Sequence, residues 1–205
     1  MKVMMVNGSP HAKGNTFVAL EEMRKVFEAE GVETELVHVG NKALRGCVAC
    51  GACRKTGKCT FDDAVNETAA LFEECDGLVV GTPVYYASAN ATVVAYLDRL
   101  FFSTHFDKTM KVGASVVISR RGGSSSTFDE MNKYFSICGM PIATSQYWNM
   151  AYGREQGEAA QDAEGMQTMR TLARNMTFLM RSIALGKEKY GLPEKEEWTP
   201  THFIR

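Results

Sequence analysis

The chain has 205 residues, of which 45% are hydrophobic and 23% are charged, and its formal net charge at pH 7 is −1. This composition is typical of a soluble globular chain of one domain, and the small net charge excludes a general attraction to nucleic acid or to a membrane surface. Because no apolar run reaches membrane-spanning length and the first residues lack the organisation of a signal peptide, we expect a cytoplasmic protein with small-molecule or protein partners.

The first strand leads through a loop of small residues into a helix. An apolar strand at 2–6 is followed by the loop 7–16 and by a helix over about 15–30. Such a loop leaves backbone N–H groups unpaired at the positive end of the helix dipole, which is an arrangement that binds anions. The loop matches neither the Walker sequence nor Gly-x-Gly-x-x-Gly. We predict a phosphate-binding loop whose candidate residues are Ser9, Pro10, His11, Gly14, Asn15 and Thr16.

Strands and helices alternate along the rest of the chain. The predicted strands are 34–39, 77–81, 111–119 and 141–148, and the predicted helices are 62–75, 90–103, 128–139 and a closing helix through 166–183. With the first strand and helix, this pattern predicts an α/β fold, a doubly wound five-stranded parallel sheet of order 2-1-3-4-5 with helices on both faces. A ligand is then expected at the carboxyl ends of strands 1 and 3.

The predicted domain covers residues 1–186. A cysteine-rich loop at 46–60 is inserted into it, and the polar segment 151–164 is predicted to be a mobile loop. The tail, 187–205, is too polar to form a core of its own, so we expect it to pack on its own body or on a neighbouring subunit.

Three segments at the predicted carboxyl edge resemble those of a known family. Gly-Ser-Pro-x-x-x-Gly-Asn-Thr at 8–16 is similar to the loop that holds the FMN phosphate in the flavodoxin-like NAD(P)H-dependent FMN reductases, and 82–86 and 119–123 resemble that family's flavin-contacting segments. The resemblance implies FMN as cofactor, NAD(P)H as co-substrate, and a homo-oligomer, either dimer or tetramer. It also implies flavin contacts from Pro83, Val84, Tyr85 and Tyr86 beside the ring, and from Ser119, Arg120, Arg121, Gly122 and Gly123 at its N1/O2 edge.

The cysteine-rich loop carries a compact ligand pattern. Cys47, Cys50 and Cys53 recur every third residue and Cys59 follows, so a short segment can surround a cuboidal cluster. Zinc sites more often use two separated pairs, and the run therefore favours [4Fe–4S] over zinc. It resembles the motif of iron–sulfur flavoproteins, a branch of the same superfamily. Free thiols, zinc and a regulatory disulfide remain alternatives.

These patterns together predict an FMN-dependent oxidoreductase. Electrons would pass between NAD(P)H or a protein donor and an acceptor that is a quinone, a flavin or a redox protein, with the cluster as a one-electron relay. One alternative is a flavodoxin-like electron carrier without NAD(P)H turnover, and another is a zinc or thiol loop in place of the cluster. No acid–base residue is nominated. Asp98-Arg99, which resembles a family feature, is expected to form an intramolecular or interface ion pair instead of taking part in catalysis.

Overall fold

A parallel β-sheet forms the centre of the protein in the computed structural model, which describes residues 1–201 and 203. Its parallel strands are β1 (Lys2–Asn7), β2 (Glu33–His38), β3 (Gly77–Tyr85), β5 (Val112–Ser119) and β6 (Met150–Tyr152), and β4 (Ser88–Ala89) forms an antiparallel hairpin with β3. The order of the parallel strands in space is β2-β1-β3-β5-β6. Counted without the hairpin strand, this is the predicted order of five strands, and the predicted flavodoxin-like α/β fold is confirmed.

Helices cover both faces of the sheet. They are α1 (Asn15–Ala29), α2 (Cys53–Thr56), α3 (Ala64–Glu74), α4 (Ala91–Ser103), α5 (Ser124–Ile137) and α6 (Ala163–Tyr190), with a 3₁₀ turn at Glu158–Gln161. In β1, Val3 and Met5 face the core under α1 and α6, and Met4 and Val6 face the core under α3, α4 and α5. All four are fully buried, as expected of a central parallel strand. No helix in the described part of the chain is long and apolar enough to cross a bilayer.

The fifth parallel strand lies later in the chain than predicted. The predicted strand 141–148 contributes a single bridge, between Ile142 and Gly113, and the strand itself is Met150–Tyr152. Between them the fully buried Asn149 side chain accepts a hydrogen bond from a serine hydroxyl and donates one to a backbone carbonyl. Such local side-chain bonds compete with a strand ladder, so the segment turns instead of pairing.

The last helix extends beyond the predicted domain boundary. The boundary at residue 186 falls inside α6, which ends at Tyr190. Lys195 of the tail forms an ion pair with Asp107 of the body, with 2.7 Å between Nζ and Oδ1. The packing of the whole tail stays a prediction, and residues 202, 204 and 205 lie outside the described residues.

Candidate functional site

A cavity of about 410 Å³ opens at the carboxyl edge of the sheet, where β1, β3 and β5 end. Its volume lies in the usual range of pockets for small ligands and cofactors. The lining residues are Ser9, His11, Gly14, Asn15, Thr16, Pro83, Val84, Tyr85, Ile118, Ser119, Arg120, Gly153, Arg154, Glu155 and Gln156. The predicted phosphate loop and the two predicted flavin segments therefore meet in one cavity, as expected of the point where strand order reverses.

The N-terminus of α1 provides unpaired donors at this cavity. Gly14 precedes the helix without a side-chain cap, and within residues 1–201 and 203 the N–H groups of Asn15, Thr16 and Phe17 have no acceptor. Side chains cap three other helices, α3, α4 and α6, through Asp63, Asn90 and Asp162. Free amides at the positive end of a 15-residue helix are an arrangement that can bind an anion such as a phosphate group.

The predicted phosphate loop is held in place by contacts to β1 and β3 and within the loop. The N–H of Gly8 donates to Gly81 O at 2.8 Å, and a Cβ at Gly8 would lie 2.9 Å from that oxygen, so the close approach to β3 requires glycine. The N–H of Ser9 donates to the Asn7 side chain. The Ser9 hydroxyl accepts from the N–H of His11 at 3.2 Å, which leaves its own proton for an oxygen in the cavity.

The wall formed by residues 153–156 is absent from the sequence-based prediction. The Asn15 side chain joins this wall to α1, because its Nδ2 donates to Glu155 O at 2.9 Å and its Oδ1 accepts from the N–H of Ala159 at 3.1 Å. The Glu158 carboxylate accepts from two backbone N–H groups, those of Arg154 and Glu155, and these bonds hold its pKa below the ordinary value. The segment predicted as a mobile loop thus contains the last two residues of β6 and one side of the cavity.

A tight hairpin between β3 and β4 borders the cavity next to Pro83, Val84 and Tyr85. Its two central residues, Tyr86 and Ala87, have φ values of 53° and 60°, which are costly for residues other than glycine. The Glu130 carboxylate holds the turn by accepting from Ser88 Oγ at 2.7 Å and from the N–H of Ala89 at 2.9 Å. The turn leaves the Tyr86 ring fully exposed beside the cavity, not inside it.

Ten of the fifteen predicted flavin residues line the cavity, and five do not. Those outside the lining are Pro10, Tyr86, Arg121, Gly122 and Gly123. Pro10, Arg121 and Gly122 are exposed, while Gly123 has φ 90° and precedes α5. The sequence analysis did not indicate two parts of the lining, Ile118 and residues 153–156. The signal available for the second part was the glycine at position 153, because a Cβ there would lie 2.9 Å from Asn15 Nδ2.

The four predicted metal ligands line one small pocket away from this cavity. Cys47 and Cys50 are exposed, Cys53 is buried at the start of α2, and Cys59 is half-buried. None of the six cysteines forms a disulfide bond in the described structure. In the part of the chain that the structure describes, no three His, Cys, Asp or Glu residues are grouped closely enough to hold a metal ion.

A buried arginine contacts this pocket from α4. The Arg99 guanidinium donates to Cys59 Sγ from both Nε and Nη2 at 3.2 Å, and pairs with the Asp63 carboxylate at 2.7 and 3.0 Å. Burial would lower the pKa of Arg99, but its bonds to Asp63 and Cys59 raise that pKa above the ordinary value. The predicted ion pair at Asp98-Arg99 is confirmed for Arg99, with Asp63 as its partner.

Comparison with known proteins agrees with this arrangement. The family model described as NADPH-dependent FMN reductase matches residues 1–155. An iron–sulfur flavoprotein of Methanocaldococcus jannaschii is 31% identical over 191 residues, which are 89% of this chain and 99% of the relative.

Two solved structures bear on the fold. RosB, crystallised with a bound 8-demethyl-8-formylriboflavin-5′-phosphate intermediate, superposes with a TM-score of 0.71 at 16% identity and covers 100% of this chain and 94% of its own. A flavodoxin from the domain Archaea superposes with a TM-score of 0.55 at 15% identity, covering 86% of this chain and 99% of its own. With its matched family model and its flavodoxin-like sheet, the chain belongs to the NADPH-dependent FMN reductase family.

Proposed function

We propose that the protein is an FMN-dependent oxidoreductase that passes electrons between NAD(P)H or a protein donor and a quinone, flavin or redox-protein acceptor, with a [4Fe–4S] cluster at the cysteine loop as a one-electron relay. The observation that carries the flavin part is the uncapped N-terminus of α1, which opens into a cavity of about 410 Å³ at the switch point of the sheet. Bound FMN supplies the ability to accept two electrons as hydride and to release them singly or together.

The residues at the cavity suit the parts of FMN. Ser9 and the free N–H groups of α1 would hold the phosphate, and Arg120 at the end of β5 would bring positive charge toward a ring that becomes negative on reduction. Pro83, Val84 and Tyr85 offer apolar and aromatic surface for the ring, and an aromatic contact of this kind stabilises by about 1 kcal/mol beyond burial.

The cysteine pocket supports the cluster through its donor chemistry. Four thiols border one pocket whose other walls include apolar Val48, Phe61 and Phe102, and Arg99 adds positive charge against the negative charge of thiolates. Cys47, Cys50, Cys53 and Cys59 match the four-cysteine requirement of a [4Fe–4S] cluster in number and type, and each would provide one ligand once the loop, whose described side chains are not grouped for a metal ion, has closed around it. The name of the relative from Methanocaldococcus jannaschii, an iron–sulfur flavoprotein of similar length, also supports a cluster.

The experiment that tests the proposed reaction mixes the FMN-loaded protein anaerobically with NADPH or NADH and follows flavin absorbance. We expect the flavin to bleach within the time of catalytic turnover and a quinone to reoxidise it. If neither nucleotide reduces the flavin while a low-potential redox protein does, the protein is the electron carrier of the alternative interpretation and the NAD(P)H activity is refuted.

We further propose that the protein acts as a homo-oligomer, a dimer or tetramer. The ring of Tyr86 and 44% of Tyr85 are exposed next to the flavin cavity, which leaves this side open to a neighbouring subunit or to a redox partner. Light scattering after size exclusion measures the state directly. A monomeric mass at working concentration would refute the oligomer.

A further inference from the structure

The four cysteines of the loop have unequal surroundings. In the described part of the chain, side-chain hydrogen bonds reach the Sγ of Cys59, and none reaches the Sγ of Cys47, Cys50 or Cys53. The backbone of Cys59 is also held, because its N–H donates to Asn66 Oδ1 at 3.0 Å and its carbonyl accepts from Asn66 Nδ2 at 2.9 Å. Cys59 therefore has a fixed position and a fixed polar environment.

The donor to Cys59 is fixed as well. Arg99 is 1% exposed, and its Nη1 and Nη2 donate to the two carboxylate oxygens of Asp63. Nη2 also donates to Phe61 O at 3.1 Å, and the guanidinium carbon lies 5.1 Å from the Phe61 ring centroid. Because Asp63 and Phe61 hold the planar guanidinium of Arg99, its edge with Nε and Nη2 is directed at Cys59 Sγ.

We propose that Arg99 is a positioning residue that raises the reduction potential of a cluster ligated by Cys59, through its two N–H···S hydrogen bonds to that sulfur. This inference rests on the cluster of the proposed function. It assigns to one buried side chain the control of how readily the relay accepts its electron.

The sign follows from charge. Adding one electron at the cluster places one further negative charge next to Cys59 Sγ, so donors aimed at that sulfur stabilise the reduced state more than the oxidised state. Because Arg99 is almost completely buried, solvent screens this effect less than it would at the surface. Removing the donors is therefore expected to lower the potential.

The test is a redox titration of the complete protein, purified anaerobically with FMN and cluster, using dithionite as reductant and electron paramagnetic resonance of the reduced cluster as readout. Arg99→Met removes both bonds and the charge, whereas Arg99→Lys keeps the charge without the two-pronged donor. Arg45→Met is the matched control, since Arg45 is exposed, also lies over Phe61 at 4.7 Å, and donates to none of the four sulfurs among the described residues.

We expect Arg99→Met to lower the equilibrium constant for reduction of the cluster at least tenfold. For a one-electron couple this is a fall of at least 59 mV in the reduction potential. Arg99→Lys should show a smaller fall, Arg45→Met less than a twofold change, and the flavin potential no change in any variant. If Arg99→Met fails to assemble the cluster, the fall in Arg99→Lys carries the test. An unchanged cluster potential in the Arg99 variants, or an equal shift in Arg45→Met, would overturn the inference and leave the cluster in place. Wild-type protein without iron would overturn both.

Discussion

Gly14→Asp places a carboxylate at the proposed position of the FMN phosphate. Gly14 has φ −82° and ψ −168°, a conformation that aspartate adopts readily as a helix N-cap. The new side chain would accept hydrogen bonds from the free N–H groups of α1, which adds a few tenths of a kcal/mol (~0.3 kcal/mol) to helix stability relative to a glycine cap. A Cβ at this position would lie 3.0 Å from His11 Cβ, and the small shift that this contact requires offsets part of that gain.

The same carboxylate should oppose FMN binding. At about 4 Å and an effective dielectric constant of about 20, two like charges repel by ~4 kcal/mol, which corresponds to a loss of about 10³ in affinity. Gly14→Asn is the control, because its amide also caps the helix but carries no charge, and its expected loss is about tenfold. Riboflavin, which lacks the phosphate group of FMN, is the control ligand. Its affinity should change less than tenfold in either variant.

The assay is a calorimetric or fluorescence titration of the apo-protein, together with thermal unfolding of each variant. The expected pattern is FMN affinity that falls steeply for Gly14→Asp while the apo-protein keeps its stability within about 1 kcal/mol. If Gly14→Asp binds FMN as tightly as wild type, or loses FMN and riboflavin equally, the phosphate does not lie at the N-terminus of α1 and the reasoning fails.

Three further substitutions probe other parts of the molecule. Asn15→Ala removes both side-chain hydrogen bonds to the 153–159 segment, at ~1 kcal/mol each, so FMN affinity measured by titration should fall about tenfold or more. Tyr96→Phe removes the buried 2.6 Å bond to Thr68, and urea denaturation should show a loss of about 1 kcal/mol with FMN affinity unchanged. Burial raises the pKa of the Cys75 thiol from 9.0 to about 11, so the unfolded chain loses this proton at a lower pH than the folded chain. The free energy of unfolding should therefore fall as the pH rises from 9 to 11, and it should fall less steeply in Cys75→Ala.

Each of these has an outcome that would contradict it. Unchanged FMN affinity in Asn15→Ala would mean that the 153–156 wall does not contact the ligand. A weaker FMN affinity in Tyr96→Phe would mean that the core contact is coupled to the site. Identical slopes of stability against pH for wild type and Cys75→Ala would mean that this thiol ionises equally in the folded and unfolded chains.

The central strands and the phosphate loop could be predicted because their signals are local. β1 and β3 each contain a continuous apolar run, 3–6 in β1 and 77–81 in β3. The glycines and small polar residues of the loop between β1 and α1 suit an anion in any context. Because parallel strands end at one edge, the sequence also indicated that residues from three distant segments would share a cavity.

The edge of the sheet and the fourth wall of the cavity depended on contacts that are distant in sequence. The run 141–148 has strand composition, but a buried asparagine turns it away from β5 after one bridge. The wall at 153–156 is polar and contains a glycine, like an ordinary loop. It is held by the side chain of Asn15, which is 140 residues earlier in the sequence than its partner Glu155. Arg99 likewise contacts Cys59 across 40 residues, which no periodic pattern reports.

Anaerobic purification followed by a visible spectrum, with flavin, iron and sulfide measured on the same sample, tests the central claim most directly. We expect about one FMN and about four iron atoms per chain, with flavin bands over a broad iron–sulfur absorbance. Flavin without iron would contradict the relay and return the cysteine loop to a thiol or zinc role. A protein without flavin would contradict the proposed function itself.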